Sequence, residues 1–352
     1  MWGDVRAALF FCLSLAPQML VSFSAEAEQI KLGVTLQLPI TSHIGANLVQ
    51  FKEEVQRRTK GVVVVEVHDN SRLYRDDEVI AAVASGAIDL GITNYNQFSK
   101  RVPAIDIIGL PFLLNTEALV KAATSPDGEI RKLLDEAMLK ATGTRVLWWQ
   151  AYGSSVFFSK GRDTKHPSQI RGQKIRVSGE NYAHLVKRCG GIPLVISASQ
   201  QHQAIKDGGV DMITTGITGV DSRELWKVTD TITRTEHAAL EFVVIINEKV
   251  WQALDKNQQT IILESSRKVE RALREEMADI EAKGYEFARA KGMTIHELAS
   301  NDVAEWRACS AGVLEDYMNG AGELASLLMS SYGRLRTHPC CSSGPKGTFS
   351  LR

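Results

Sequence analysis

The sequence has no surplus of charge of either sign. Lys plus Arg and Asp plus Glu are 41 each over 352 residues, so the formal net charge is zero. A nucleic-acid surface needs clustered excess cations and an anionic membrane attracts a polybasic run; neither is present. Cysteine is scarce, five residues in all, and none stands with His or a second Cys pair at the spacing of a zinc site. No GxGxxG turn, Walker loop or Gly-x-Ser-x-Gly elbow occurs, and the pair His296-Glu297 lacks the second His that a zinc protease needs. The eight His residues are scattered. No nucleophile, base and oxyanion donors assemble, so the chain is expected to be no enzyme, with no cofactor and no metal. Beyond the N-terminus no apolar run is long enough to span a bilayer.

What is present begins with residues 1–27. Arg6 precedes a mostly apolar stretch from Ala7 to Phe23, interrupted by Ser14, Pro17 and Gln18, and Ala25-Glu26-Ala27 follows. This pattern predicts a cleavable secretory signal peptide and a periplasmic protein. Cys12 lies inside the apolar run, so no lipid-anchored mature start is expected. An exported chain could oxidise Cys189 and Cys309; the sequence leaves them free or paired. Cys340 and Cys341 fall in a polar stretch and are read as without function.

Alternating Ile30, Leu32, Val34 and Leu36 predict a strand, Ser42 a helix cap, and Val62–Val67 a buried parallel strand. A helix over Asp76–Ser85, closed by Gly86, leads to a strand over Ile88–Thr93. The run Asp76-Asp77-Glu78 reads as charge placed on a helix N-terminus. This βαβ pattern then restarts. Strands are expected at Arg145–Trp149, Val156–Ser159, Lys174–Val177 and Val210–Thr214, with helices at Asn181–Cys189 and Ser199–Lys206. The apolar strand Ala239–Ile246 could return the chain to the first unit. Val269, Leu273, Met277, Ile280 and Phe287 mark one face of a helix over Gln258–Lys291, long enough to lie across both units. Met293–His296 reads as a strand and Asp302–Leu328 as mostly helical. The expected fold is α/β and bilobed, two α/β lobes joined by hinge strands and a lobe-spanning helix. Residues 28–151 and 239–280 form lobe I and residues 152–238 and 281–330 lobe II, ahead of a tail over 331–352.

Several segments resemble one family. Asn70-Ser71-Arg72-Leu73, Asp76-Asp77-Glu78-Val79 and Gly86-Ala87-Ile88-Asp89-Leu90 are similar to the first-lobe signature of the DctP-type solute receptors of TRAP (tripartite ATP-independent periplasmic) transporters. Leu110-Pro111-Phe112 resembles the family's LPF segment, and Ile170-Arg171-Gly172-Gln173-Lys174-Ile175-Arg176-Val177 its most specific motif. Gly190–Pro193 and Val210-Asp211 fit the positions that follow. The likeness runs from about Ile30 to Leu328.

The resemblance implies a bilobed receptor that closes on a small organic acid and docks on a permease of one small and one large membrane subunit. It implies that Arg176 grips the carboxylate, for which a planar guanidinium fork is the suited partner. The chain also departs from the family. Ser155 stands near the usual second arginine, Thr215 at a usual Asn, Asn94 at a frequent acid, followed by Tyr95, and Ala198 at a usual aromatic. A monocarboxylate is therefore expected, a keto, hydroxy, aromatic or sugar acid, rather than a sialic acid or ectoine. Because ligands of open α/β sheets bind at the carboxyl ends of strands, the candidate ligand residues are Arg176, Asn94, Tyr95, Tyr152, Ser155, Thr215 and Thr35. A monomer is expected. The alternative is the binding component of an ABC importer or a sensor with the same capture chemistry.

Overall fold

In the computed structural model the described residues are 29–338 and 341. Residues 1–27, read above as a signal peptide, and most of the stretch after His338 lie outside them. Ten strands form two sheets that share one strand. They are β1 (Ile30–Leu36), β2 (Val63–His68), β3 (Leu90–Asn94), β4 (Thr144–Ser159), β5 (Lys174–Val177), β6 (Ile192–Val195), β7 (Met212–Gly216), β8 (Thr231–Arg234), β9 (Ala239–Asn247) and β10 (Thr294–Glu297).

The first sheet runs β2-β1-β3-β9-β4. Its first three strands are parallel, and β9 lies antiparallel between β3 and the first part of β4. Branched side chains suit these strands because helices cover both faces. The helix His43–Arg58 follows β1 with Ser42 as its cap, the serine oxygen accepting from Gly45 N at 3.1 Å. The second sheet is made by the latter part of β4, antiparallel to β7 and β8, with β7, β5 and β6 parallel and β10 parallel to β8. A second core of Val156, Phe158, Ile213, Ile217 and Ile232 fills it. Where two short strands are expected at 145–149 and 156–159, one strand of 16 residues crosses from lobe to lobe. Gly153, at φ +90°, sits in the register shift between Ala151 and Gly153 and lets that strand bend without breaking.

The long helix spans Lys256–Ala290, 35 residues, with Asp255 and Gln258 capping each other's backbone N–H. At about 1.5 Å per residue it is roughly 50 Å long. It packs on the helix His43–Arg58 of lobe I, on β4, and on Gly219–Ser222 and β10 of lobe II, as its length implies.

The chain end differs from expectation. The helix Ser300–Ser310 does belong to lobe II: it packs on Glu180–Arg188, and Cys309 forms a disulfide with Cys189 across 5.2 Å between Cα atoms. The next two helices, Gly312–Gly320 and Gly322–Thr337, return to lobe I and pack on the turns over Pro103–Gly109 and on the helices Glu117–Ala123 and Glu129–Thr142. Tyr317 Oη donates to Ala104 O at 3.0 Å, and Tyr332 Oη to Leu113 O at 3.1 Å. These buried tyrosines carry the chain back towards lobe I, while Gly312–Gly320 also packs on Glu180–Arg188 of lobe II, where Arg188 meets Asp316; residues 331–337 are helix, not tail. Among the described residues no helix is long and apolar enough to cross a membrane.

Candidate functional site

The carboxyl ends of β1, β3, β5 and β7 meet where the two sheets face each other, over the apolar floor of Leu240 and Phe242 from β9. The strand-to-helix turns there bring polar side chains around one small cavity of about 20 Å³. Gln37, Asp76 and Asn94 line it from lobe I; Arg176, Thr215 and Arg223 line it from lobe II, with Tyr152 from the crossing strand.

Arg176 is 2% exposed. Its Nε donates to Ile196 O at 2.8 Å and its Nη1 to Thr214 O at 3.0 Å. Two backbone carbonyls thus fix the plane of the fork, and Nη2 keeps no partner among the described residues. Arg223 Nη2 donates to Tyr152 Oη and to Thr215 Oγ1, the latter at 3.0 Å, and its Cζ lies 5.7 Å from the Tyr152 ring centre. Arg223 Nε is buried without a partner. No carboxylate lies within ion-pair distance of either guanidinium among the described residues.

The electrostatics follow from that geometry. Burial, then repulsion from Arg223, push Arg176 down to about 9, against the pull of Asp76. Burial also lowers Arg223. Asp76, 3% exposed, is raised to about 6 by burial, partly offset by hydrogen bonds from Thr93 Oγ1 at 2.7 Å, Asn94 N at 3.3 Å and Gln97 Nε2 at 3.0 Å and by the field of Arg176. At neutral pH the cavity therefore holds two cations and one anion.

Of the seven residues expected from the sequence, Arg176, Asn94, Tyr152 and Thr215 line this cavity. Three do not. Tyr95 is buried against Trp149, with ring centres 6.2 Å apart, and its Oη bonds to Tyr182 Oη and Asn181 Nδ2 at 2.9 Å each. Ser155 is buried in β4, where its N donates to Ala238 O. Thr35 is buried within β1, short of the strand end. Asp76 does not serve the helix terminus: Glu78 takes the capping role, accepting from Arg75 N at 2.8 Å, and Asp76 turns into the cavity. Arg223 and Gln37 were missed. Gln37 directly follows β1 at its carboxyl end, a signal that could have found it; Arg223 stands past β7 at the end of the short helix Gly219–Ser222, where no strand-end rule points. Cys189 and Cys309, left open by the sequence, are paired.

A larger hollow of about 210 Å³ lies behind the crossing strand, lined by Glu241, Arg274 and Glu281. Arg274 forks onto Glu241 at 2.9 and 3.0 Å, and Glu281 accepts from Ser154 N at 2.9 Å. Glu117, Lys121 and Glu236 line it as well. No cluster of metal-ligating side chains is found among the described residues.

Comparison with known proteins agrees with this architecture. The C4-dicarboxylate-binding periplasmic protein DctP of Rhodobacter capsulatus is 26% identical over 302 residues, covering 84% of this chain and 87% of its own. A TRAP periplasmic solute-binding protein of Sulfurospirillum deleyianum, solved with bound succinate, superposes with a TM-score of 0.79 at 25% identity, over 86% of this chain and 99% of its own. One from a Sulfitobacter species, solved with bound β-D-galacturonate, superposes with a TM-score of 0.80 at 20% identity over the same shares. The family model for bacterial extracellular solute-binding protein family 7 (DctP) matches residues 37–320, so this chain belongs to that family, the extracytoplasmic receptors of TRAP transporters, which bind their solutes and do not turn them over.

Proposed function

We propose that this chain captures a small organic monoacid between its two lobes and presents it to a two-part TRAP permease. The observation that carries the reading is the pair of cavity guanidiniums with no carboxylate at ion-pair distance. A buried cation is costly unless paired, so a site with this arrangement favours an anion. Two cations against Asp76 leave one positive charge, which one carboxylate neutralises. Arg176 is held by backbone carbonyls with Nη2 free, the posture of a rigid carboxylate anchor. Arg223, tied to Tyr152 and Thr215, supplies a second guanidinium to the same cavity.

Anchors from lobe II and Gln37, Asp76 and Asn94 from lobe I face one cavity. A bound acid therefore gains its full contacts only when the lobes are closed, and binding shifts the population towards closure about β4, β9 and the long helix. Export through residues 1–27 as a cleaved signal, into a periplasm, belongs to the same proposal, and an N-terminal sequence of the exported protein beginning near Glu28 tests it. The function is tested by calorimetry on ligand-stripped protein with a panel of organic acids, neutral sugars and amines. Saturable binding of an acid is expected, together with its loss in Arg176→Ala. Binding of a neutral sugar or an amine alone would refute the reading.

A further inference from the structure

Beside the two guanidiniums, in the cavity wall and just behind Tyr152, lies a second set of unmet polar atoms. Gln37, 2% exposed, has neither its amide oxygen nor its amide nitrogen hydrogen-bonded. His43, at the start of the lobe I helix, packs its ring 4.9 Å from the Tyr152 ring and leaves Nε2 buried without a partner. Arg223 Nε, from lobe II, is buried and unpartnered as well. Phe242, 5.2 Å from Tyr152 between ring centres, closes the apolar side. Buried polar atoms without partners are uncommon in folded proteins, and here three residues around one tyrosine carry them.

From these atoms we infer that the ligand is a hydroxy acid, with at least one hydroxyl seated among Gln37, His43 and Arg223 while its carboxylate meets Arg176. This inference rests on the carboxylate reading above and narrows it. The chemistry of the set selects the group. Arg223 Nε and Gln37 Nε2 are donors; Gln37 Oε1 is an acceptor. Burial holds His43 down to about 4, so its ring is neutral, and with the Ala151 backbone engaging it elsewhere Nε2 acts as an acceptor. A second carboxylate brings acceptors only and would confront His43 Nε2 and Gln37 Oε1. An ammonium brings donors only and would confront Arg223. A hydroxyl donates and accepts at once, so it answers both kinds. It also bridges a lobe I residue to a lobe II residue, which makes it a contact of the closed form alone. A site built to hydrogen-bond a hydroxyl rejects the analogue that lacks it, since its buried groups are then left unpaired.

The test is calorimetry on the ligand-stripped full chain with acids paired by skeleton: gluconate against hexanoate, lactate against propionate, with galacturonate, succinate and pyroglutamate added. The hydroxylated member of a pair is expected to bind at least about tenfold more tightly. Gln37→Leu should bring the two members of the tighter pair to within about threefold by weakening the hydroxy acid and sparing the plain acid. His43→Phe keeps a ring against Tyr152 but removes the acceptor, and should act in the same direction should Gln37→Leu fold poorly. Equal or tighter binding of the plain acids would overturn the hydroxyl site and leave the carboxylate reading standing. Tightest binding of succinate or pyroglutamate would overturn it in favour of a second carboxylate or an amide. No binding of any of these acids would overturn both readings.

Discussion

Two pairs of arginines are drawn into the described part of this protein, three of the four side chains buried and Arg223 half-buried, and the contrast between the pairs separates scaffold from site. Under the long helix, Arg131 is 3% exposed and donates to Glu270 at 2.8 Å and Asp135 at 2.6 Å. Arg274, 7% exposed, forks onto Glu241. Burial alone would push Arg274 down, but Glu241 and then Glu270 more than reverse it and its pKa is raised. In the cavity the balance is the opposite. Arg176 and Arg223 are lowered, chiefly by burial, because no carboxylate at ion-pair distance answers them. Both pairs carry the desolvation cost of a buried cation. The first recovers it inside the fold; the second leaves it to be recovered by an anion from outside. A buried arginine with its carboxylate is architecture, and one without is a receptor for one.

The contrast breaks first at Arg131. Replacing it with Ala leaves Glu270 only the longer contact to Arg274 at 3.6 Å and takes the cation from Asp135, so unfolding in urea should show a loss of about 3–5 kcal/mol, the usual consequence of removing one partner of a buried pair. Acid binding by the folded fraction should be unchanged. A loss under about 1 kcal/mol would mean the network is not structural. Arg176→Ala should invert the pattern: a smaller loss of stability, and acid affinity reduced by roughly 30-fold or more, as expected when a buried charge-assisted pair loses one member. Affinity within tenfold of wild type would remove Arg176 as the anchor. Arg223→Lys is the finer probe. The charge stays, but the planar guanidinium goes, with the Nη2 that bonds both Tyr152 and Thr215 and the Nε left over for a ligand, and an ammonium does not reproduce that plane. Titration should show weakening of about tenfold, intermediate between wild type and Arg223→Ala; a lysine variant no better than the alanine one would mean that fork geometry, not charge, is what the site uses.

How much of this could be read from sequence depends on which physical rule carried each feature. Hydrophobic period and βαβ spacing are local, so the strands of both lobes and the long helix were legible. The bend at Gly153 was not, because a glycine amid Tyr152, Ser154 and Ser155 looks like a turn until the bulge and the neighbouring β9 are seen. The return of the last two helices to lobe I was equally hidden, since it depends on tyrosine hydroxyls finding carbonyls more than 200 residues away in sequence. At the site, the rule that ligands meet strand carboxyl ends reached Asn94, Arg176 and Thr215. It could not separate Asn94 from Tyr95, because consecutive residues leaving a strand point apart. Asp76 was misread because a carboxylate in a first helical turn has a sufficient local explanation, and only the packing of Thr93 and Gln97 around it shows otherwise.

Asp76 also supplies the smallest test, and the one most specific to the cavity. Its carboxyl is raised to about 6 and Arg176 is lowered to about 9, so both titrate where a monoacid of ordinary pKa stays ionised. As pH falls from 7 to 5, Asp76 takes up a proton and one negative charge leaves the neighbourhood of the bound anion. Affinity should therefore rise, by a few-fold and at most about tenfold if the anion moves the Asp76 midpoint by one unit. Binding near pH 6 should take up protons, visible as a dependence of the calorimetric heat on the ionisation heat of the buffer. Above about 9 the cavity loses its Arg176 charge and affinity should fall. Asp76→Asn should flatten the acid limb and keep the alkaline one. A wild-type affinity that is flat between pH 5 and 7 would show that Asp76 does not feel the bound anion, and the count of two cations against one anion in the cavity would have to be abandoned.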